Sequence, residues 1–256
     1  QKNIKCMYIF CIYGGTMFNL WRLSKKAKIA ATIITLAFTC NTTVNASEIT
    51  GVIGNNGIYN INPSALINGT DIGYRKYKDF TLDKNDVANL IFKYGATDVS
   101  TFINLVDNQI NINGLVNSMR DGAFYNGKAV FVSPNGMIVG ASGVLNVGSL
   151  SITTPTQDNY NYYKANPNAN LSGIYETNSN ATVRIDGKAI ATNNIDINSG
   201  KVIVGQNGYM LAGTGNNIYV NNHNQADLLF NSIVNVVPSP GALSTLILPL
   251  HSLIMR

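Results

Sequence analysis

Short runs of alternating apolar and polar residues dominate the chain from Glu48 to about Asn235. The clearest runs cover residues 129–132, 136–139, 144–152, 181–185, 195–197, 201–204 and 217–220. A period of two places every second side chain on one face, which is typical of β-strands. Turn sequences such as Pro134-Asn135-Gly136 separate the runs. The pattern therefore predicts an all-β domain of many short strands joined by tight turns.

The runs are short: many contain only three to five residues, and a Gly or Asn follows directly. A β-sandwich or barrel would show longer strands in steady hairpin alternation. Short strands with small residues at their ends are typical of a parallel β-helix, in which successive coils stack and small residues occupy the corners. The segments 143–148 and 200–205, GVLNVG and GKVIVG, resemble each other weakly, as two such coils would.

Residues 83–95 depart from this alternation. Val87, Leu90 and Ile91 recur at the spacing of one helix face, with an Asp placed to cap the first turn and a Gly placed to end the last. The spacing predicts a short helix or cap in this segment.

Residues 153–180 form a second departure, because they are polar and show no period. We expect them to make an excursion outside the main coil. The excursion carries Tyr160, Tyr162 and Tyr163. We expect these tyrosines to pack against the flank of the coil, and contact with a ligand is the alternative.

The composition agrees with a protein of strands and turns. Asn accounts for 37 of the 256 residues, and only 12% of the residues are charged. Asn is a poor helix former that tolerates turns and left-handed backbone. The net charge of +5 would suggest an anionic partner, but six basic residues precede Glu48, the first acidic one. From Ser47 onward, 12 basic and 13 acidic side chains leave a net charge of −1. We therefore do not expect nucleic-acid binding.

The first 46 residues have the pattern of a secretion leader. After Met17, a basic stretch that contains Arg22 is followed by about eleven apolar residues, 29–39, and a polar segment ending Val44-Asn45-Ala46. Small residues at these positions predict signal-peptidase cleavage between Ala46 and Ser47. Eleven apolar residues are too few for a membrane span, which needs about 20. Lipidation of Cys40 would require a Leu and small residues before it, and AFT stands there instead.

We therefore divide the chain into a leader over residues 1–46, with the signal peptide starting near Met17, a β domain over 47–235, and an irregular tail over 236–256. The tail is apolar, is interrupted by prolines and shows no strand pattern. We interpret it as a truncation or an altered reading frame rather than a membrane helix. All three cysteines precede Ser47, so the β domain must be stabilised by its core instead of by disulfides.

Residues suited to catalysis are scarce. The two histidines are His223 and His251, and the motifs of zinc, nucleophile and phosphate-binding sites are absent from the sequence. Asp186 and Asp196 come nearest to a carboxylate pair, which a β-helix could bring together on stacked coils. Solvated turn residues are the plainer interpretation of both. We therefore expect no enzyme activity, metal or cofactor.

The most informative stretch lies in the middle of the chain. It contains an Asn-rich segment over residues 102–114 and then AVFVSPNGMIVG over 129–140, followed by VLNVGSL over 144–150. This stretch resembles the amino-terminal secretion domain of filamentous haemagglutinin-like exoproteins, the two-partner-secretion adhesins, with the leukotoxin-type filamentous adhesins closest. The family's Asn-Pro-Asn-Gly tetrad is represented here by Ser133, Pro134, Asn135 and Gly136. Ser replaces the first Asn, and both residues cap turns through a side-chain oxygen.

The resemblance implies a right-handed parallel β-helix with an amino-terminal cap and extra-helical β segments. It also implies a role: the domain directs a large bacterial surface adhesin through the periplasm to an outer-membrane β-barrel transporter, and it nucleates folding of the β-helix. The tetrad is then the turn and transporter-recognition motif. We expect it to reverse the chain between two rungs of the helix, because Pro134 presets φ and Asn135-Gly136 can take positive φ. A downstream region of the adhesin would contact the host cell surface, and we expect the domain to be a monomer.

Three other functions fit parts of the pattern. A polysaccharide-cleaving β-helix enzyme would need clustered Asp with Arg or Lys on one face. An autotransporter passenger would be followed by a membrane barrel in the same chain. A stand-alone adhesin would bind host glycans through the excursion that carries residues 160–163.

Overall fold

The structure is a computed structural model that describes residues 10–13, 16–19, 47–168 and 176–222. The chain separates into two compact units, Gln1–Asn45 and Ala46–Arg256. In the first unit, β1 (Phe10–Tyr13) and β2 (Thr16–Asn19) pair as an antiparallel hairpin. The rest of the predicted leader, and the predicted tail over residues 236–256, lie outside the described residues.

The second unit contains three sheets. Sheet 1 consists of β5 (Ala65–Leu66), β6 (Ile72–Tyr77), β11 (Thr101–Val106), β15 (Lys128–Val132), β18 (Ser149–Thr153), β21 (Ile195–Ser199) and β24 (Ile218–Asn222). Sheet 2 consists of β3 (Glu48–Ile49), β7 (Phe80–Leu82), β12 (Ile110–Ile112), β16 (Met137–Val139), β19 (Thr182–Ile185) and β22 (Lys201–Val204). Sheet 3 consists of β4 (Ile58–Ile61), β8 (Val87–Ile91), β13 (Leu115–Arg120), β14 (Ala123–Phe124), β17 (Val144–Val147), β20 (Lys188–Ala191) and β23 (Tyr209–Ala212).

Two further elements lie outside these sheets. Strands β9 (Lys93–Tyr94) and β10 (Thr97–Asp98) form a short antiparallel hairpin. The helix α1 (Gln157–Ala165) lies between β18 and β19. Residues in strands outnumber residues in helices many-fold in the described part of the chain, which confirms the expected all-β class.

From β6 onward the chain visits sheets 1, 2 and 3 in turn, and each visit adds one strand, except that β14 forms an extra hairpin strand beside β13. Neighbouring strands are therefore parallel and come from successive circuits, as with β7, β12 and β16. Antiparallel pairing in sheets 1 and 2 is confined to the first strands, where β3 pairs with β7 and β5 with β6. At the amino-terminal end of the unit, β3 and β5 thus run opposite to the strands that follow them in their sheets.

The core lies between the three sheets, where most strands bury alternate side chains, as β8, β13 and β22 do. Phe80 and Phe131 meet edge to face with ring centroids 5.9 Å apart, and Phe92 and Phe102 do so at 6.0 Å. Burial of a side chain of this size contributes roughly 1.5–3 kcal/mol. One continuous cluster of such residues runs from Ile49 to Met210, so successive circuits share a single core.

The alternating sequence pattern predicted most strands of the second half correctly. Residues 201–204 match β22, and the runs at 181–185 and 195–197 match β19 and β21 to within one or two residues. The run at 144–152 is two strands, β17 and β18, because Gly148 turns the chain from sheet 3 into sheet 1. A Cβ on Gly148 would lie 2.2 Å from the carbonyl carbon of Asn126.

The helix predicted over residues 83–95 is wrong: the segment contains β8 and β9, the first strand of the β9–β10 hairpin. Ala88 and Leu90 point into the core, while Val87 and Ile91 stay half-buried on the outer face. Apolar residues on both faces of one strand produced a spacing that imitates a helix. Pairing with β4 and β13 on either side decides the outcome.

The weak match between residues 143–148 and 200–205 does not mark equivalent positions. The first segment contributes β17 to sheet 3, and the second contributes β22 to sheet 2. The real repeat appears in the strand register: Asn60, Asn89, Asn117 and Asn146 follow one another at separations of 29, 28 and 29 residues. That repeat was not predicted from the sequence, because few other identities accompany it.

Candidate functional site

A column of turns connects sheet 1 to sheet 2, one turn for each circuit. We call this column the 1–2 corner. Its described members are residues 78–79, 107–109, 133–136, 154–168 with 176–181, and 200. The tetrad identified in the sequence is thus the third turn of the column, and the polar excursion is the fourth.

The tetrad forms a tight turn between β15 and β16. The N–H of Gly136 donates to the carbonyl of Ser133 at 3.4 Å, and the N–H of Asn135 donates to Ser133 Oγ at 3.1 Å. Gly136 has φ of +81°, in the left-handed region that favours glycine. The flanking strands belong to different sheets, so the turn carries the chain around a corner. The turn joins two strands of the same circuit, and the expected reversal between two rungs of the helix does not occur.

Close packing also requires glycine at position 136. A Cβ there would lie 2.2 Å from the carbonyl oxygen of Thr182, the first residue of β19 in the next circuit. Real Cβ atoms essentially never approach another atom this closely. The turn and the following circuit therefore fit together only because residue 136 has no side chain.

Hydrogen bonds join the tetrad to the turn of the preceding circuit. Ser133 Oγ donates to the carbonyl of Asn108 at 2.9 Å, and Asn135 Nδ2 donates to the carbonyl of Asp107 at 2.7 Å. Gln109 Nε2 donates in return to the carbonyl of Asn135 at 3.4 Å. The single hydroxyl of Ser133 therefore both accepts within the turn and donates to the neighbouring circuit.

Accessibility differs sharply among the four residues. Ser133 is 2% exposed, and Pro134 and Gly136 are also buried, whereas Asn135 is exposed. A partner that approaches the folded domain can therefore reach the side chain of Asn135 but not the other three residues. Most of the tetrad shapes the corner instead of presenting a surface.

The helix α1 closes over the 1–2 corner. Lys164 Nζ lies 2.5 and 2.7 Å from the two carboxylate oxygens of Asp107, and Tyr160 Oη donates to Asp107 Oδ1 at 2.9 Å. Beyond the helix, Asn178 Nδ2 donates to the carbonyl of Pro134 at 2.8 Å. Burial, and then the hydrogen bond to Asp107, raise the pKa of Tyr160. The excursion thus binds both the tetrad and the turn before it.

The sequence interpretation missed α1, although weak signals for it exist. Tyr160 and Lys164 are one helical turn apart, and both reach Asp107. Asp158 lies in the first turn and Lys164 in the last, as the helix dipole favours. A nine-residue helix with so few apolar residues gives no clear period, and the partner Asp107 lies more than 50 residues upstream.

The tyrosines of the excursion pack largely as expected. Tyr160 and Tyr163 are 1% and 3% exposed, and the contacts of Tyr160 with sheet 1 confirm the packing prediction for that residue. Tyr160 covers Ile103, Leu105 and Val132 on the outer face of sheet 1. Tyr162 is 57% exposed, and its ring packs edge to face on Tyr163 at 5.5 Å.

The carboxylates considered for catalysis lie on different elements. Asp186 sits in the turn after β19 and accepts from Arg184 Nε at 2.7 Å, whereas Asp196 lies on the exposed face of β21 in sheet 1. In residues 47–168 and 176–222, no group of three or more His, Cys, Asp and Glu is placed to hold a metal ion. No helix in the described residues is long and apolar enough to cross a membrane.

The predicted cleavage site adjoins the folded unit. Ser47 is half-buried, and its Oγ donates to Asp86 Oδ2 at 2.5 Å and accepts from the N–H of Asp83 at 2.7 Å. Ala46 lies outside the described residues. A chain that starts at Ser47 would keep both contacts and place its new ammonium group near an acidic turn.

No protein-family model matches the chain, and neither a curated protein nor a solved structure matches it significantly.

Proposed function

We propose that this chain is the amino-terminal secretion domain of a large bacterial surface adhesin of the two-partner type. In this proposal residues 47–235 fold as a right-handed parallel β-helix. The leader exports the chain to the periplasm, and an outer-membrane β-barrel transporter recognises the domain and releases it at the cell surface. The domain acts as a monomer and has no catalytic role.

The strand order supports the β-helix. Three sheets that receive one strand each per circuit, with parallel pairing between circuits, are what a three-sided β-helix requires. The antiparallel strands β3 and β5 occupy the amino-terminal end of their sheets, where a cap would stand. A cap of this kind protects the first strand edge from pairing with another chain.

The observation that carries the proposal is the tetrad at residues 133–136. Its turn depends on Gly136 at positive φ, and its polar groups connect two successive circuits through Asn108 and Asp107. A motif placed in this way helps the β-helix to fold, because it holds its own circuit against the preceding one. Asn135 remains exposed and offers a side chain to a partner.

Secretion and folding are linked in this proposal. An unfolded or nascent segment can pair with the transporter by adding a strand to an exposed edge. Each circuit that folds outside the cell then supplies a partner edge for the next one, because neighbours in a repeat array stabilise one another. The tetrad locks the third turn of the 1–2 corner onto the second and so favours growth of the helix in one direction.

The test is secretion of variants in a cell that carries the partner transporter. Asn135→Ala and Gly136→Val should accumulate in the periplasm, with about a tenfold loss from the medium, because the turn no longer forms correctly. Immunoblots of periplasmic and medium fractions measure the partition. Asn68→Ala and Gly69→Val are the matched controls, since they change an Asn-Gly turn of positive φ whose Cβ direction is open.

The controls should be secreted normally. Normal release of both tetrad variants would contradict the proposed role of the tetrad. Equal retention of tetrad and control variants would mean that general misfolding, and not the motif, stops the chain.

A further inference from the structure

Four asparagines form a ladder across the outer face of sheet 3. Asn89 Nδ2 donates to Asn60 Oδ1 at 2.9 Å, Asn117 Nδ2 to Asn89 Oδ1 at 3.4 Å, and Asn146 Nδ2 to Asn117 Oδ1 at 3.1 Å. The four stand in register on β4, β8, β13 and β17. The ladder ends at β20, where Ile190 takes the register of Asn146.

Apolar rows flank the ladder on both sides. One row is formed by residues in register on the same four strands: Ile58, Val87, Leu115 and Val144. The other is shorter and crosses the β13–β14 hairpin: Ile91, Met119 and Phe124. None of these side chains is buried, and none of the eleven residues in the three rows is charged. We call the three rows the sheet-3 face.

The ladder leaves hydrogen-bonding capacity unused. An Asn amide has two N–H donors and an oxygen with two lone pairs, and an interior member of the ladder spends one of each on its neighbours. Each amide therefore keeps one donor and one acceptor for a ligand. Strand spacing sets the repeat of these groups at about 4.8 Å. An extended chain of pyranose rings offers hydroxyl groups at a similar spacing, one ring to a strand.

The matching face of sheet 1 is built differently. There Ile103, Leu105 and Val132 are buried under Tyr160 of α1, so the chain itself covers that face. On the sheet-3 face, Ile58 and Phe124 are 47% and 42% exposed. Polar groups placed among apolar side chains are typical of sites that orient a neutral ligand.

The size and charge of the face decide what it binds. Four strands of about five residues give roughly 300 Å², well short of the roughly 800 Å² per partner that a stable protein interface needs. A second copy of the chain is therefore disfavoured. Lys188 borders the face beside Val144, but the three rows themselves contain no charged residue, which disfavours an anionic glycan that would require several Lys or Arg. We propose that the sheet-3 face binds a neutral, extended polysaccharide laid along the asparagine ladder. This site is independent of the proposed secretion function.

Isothermal titration of the full chain with four hexasaccharides tests the proposal. Cellohexaose and chitohexaose are neutral and extended, maltohexaose is neutral and curved, and a heparin hexasaccharide is anionic. We expect an extended neutral probe to bind with a Kd below about 1 mM, and at least tenfold more weakly to Asn117→Leu, which breaks the ladder at its centre. Asn89→Leu is a second ladder variant.

Asn111→Leu is the matched control, because it makes the same change at a half-buried position on sheet 2. It should bind as the unmodified chain does, and circular dichroism should show that all three variants are folded. Failure of both extended probes to bind at about 1 mM, or an equal loss in the Asn111 variant, would overturn the proposal. Binding of heparin alone, or a dimer in sedimentation that Asn117→Leu abolishes, would also overturn it by assigning the face to another partner.

Discussion

At the scale of single residues, the 1–2 corner depends both on a missing side chain, at Gly136, and on a hydrogen-bonding side chain, that of Ser133. Gly136 is needed because a Cβ at this position would collide with the carbonyl of Thr182. Ser133 is needed because its hydroxyl forms hydrogen bonds both within its own turn and to the turn of the preceding circuit. The left-handed backbone at Gly136 could be predicted from the Asn-Gly dipeptide alone. The contact with Thr182 could not, since 45 residues and a helix separate the two positions in the chain.

Two glycines allow the steric requirement to be separated from the backbone requirement. Gly122 and Gly136 both have φ of +81°, but a Cβ at Gly122 would meet nothing within 4 Å. We expect Gly122→Ala to lower the free energy of unfolding by about 1 kcal/mol, the cost of left-handed backbone. Gly136→Ala should lower it by roughly 3 kcal/mol or more, because the contact with Thr182 adds strain. Denaturant titration measures both, and equal losses would refute the packing argument.

At the scale of elements, alternation identified strands in the second half of the chain, as at β19, where one face alone is apolar. It failed at β8, whose outer face is also apolar because it belongs to the sheet-3 face. It also failed at α1, a helix that is held mainly by contacts with Asp107 and sheet 1 rather than by a continuous apolar stripe of its own. Both errors arise where tertiary contacts, and not local preference, select the element.

Two tyrosines of α1 provide a test of how this helix is held against sheet 1. Tyr160 is 1% exposed and fills the space over sheet 1, whereas Tyr162 is 57% exposed. Tyr160→Ala should lower the free energy of unfolding by about 3 kcal/mol, because it opens a cavity and removes a donor to Asp107. Tyr162→Ala, the same change on the same helix, should alter it by less than about 0.5 kcal/mol. Thermal and denaturant unfolding measure the two variants, and similar effects would show that Tyr160 does not anchor the helix.

At the scale of the whole molecule, the fold is a sum of circuits that share one core and two polar columns, the 1–2 corner and the asparagine ladder. The all-β class, the short strands and the tetrad turn could be predicted from the sequence because each depends on near neighbours. The order of the sheets, the ladder and the docking of α1 could not be, because their partners are about 28 to 57 residues apart. Parallel pairing makes all such contacts distant in sequence.

We expect the fold to be sensitive to alkaline pH because it buries two tyrosines, Tyr77 and Tyr160. Burial raises the pKa of Tyr77, which donates to Asn104 at 2.8 Å, and burial with the hydrogen bond to Asp107 raises the pKa of Tyr160. Because both pKa values are raised in the folded state, the stability they contribute is fully present below about pH 10, the pKa of an unfolded tyrosine. It is lost as the pH rises further, by about 1.4 kcal/mol per pH unit for each group.

We therefore expect the free energy of unfolding of the unmodified chain to fall more steeply above pH 10 than that of the Tyr77→Phe, Tyr160→Phe double variant. At pH 7 the variant should be the less stable of the two, by about 1 kcal/mol for each hydrogen bond removed. Absorbance at 295 nm reports tyrosine ionisation, and far-UV circular dichroism reports the fold. In the unmodified chain, part of the tyrosine signal should appear only as the β signal disappears. Parallel stability curves above pH 10 for the two proteins would show that these phenols are not the groups whose ionisation unfolds the domain.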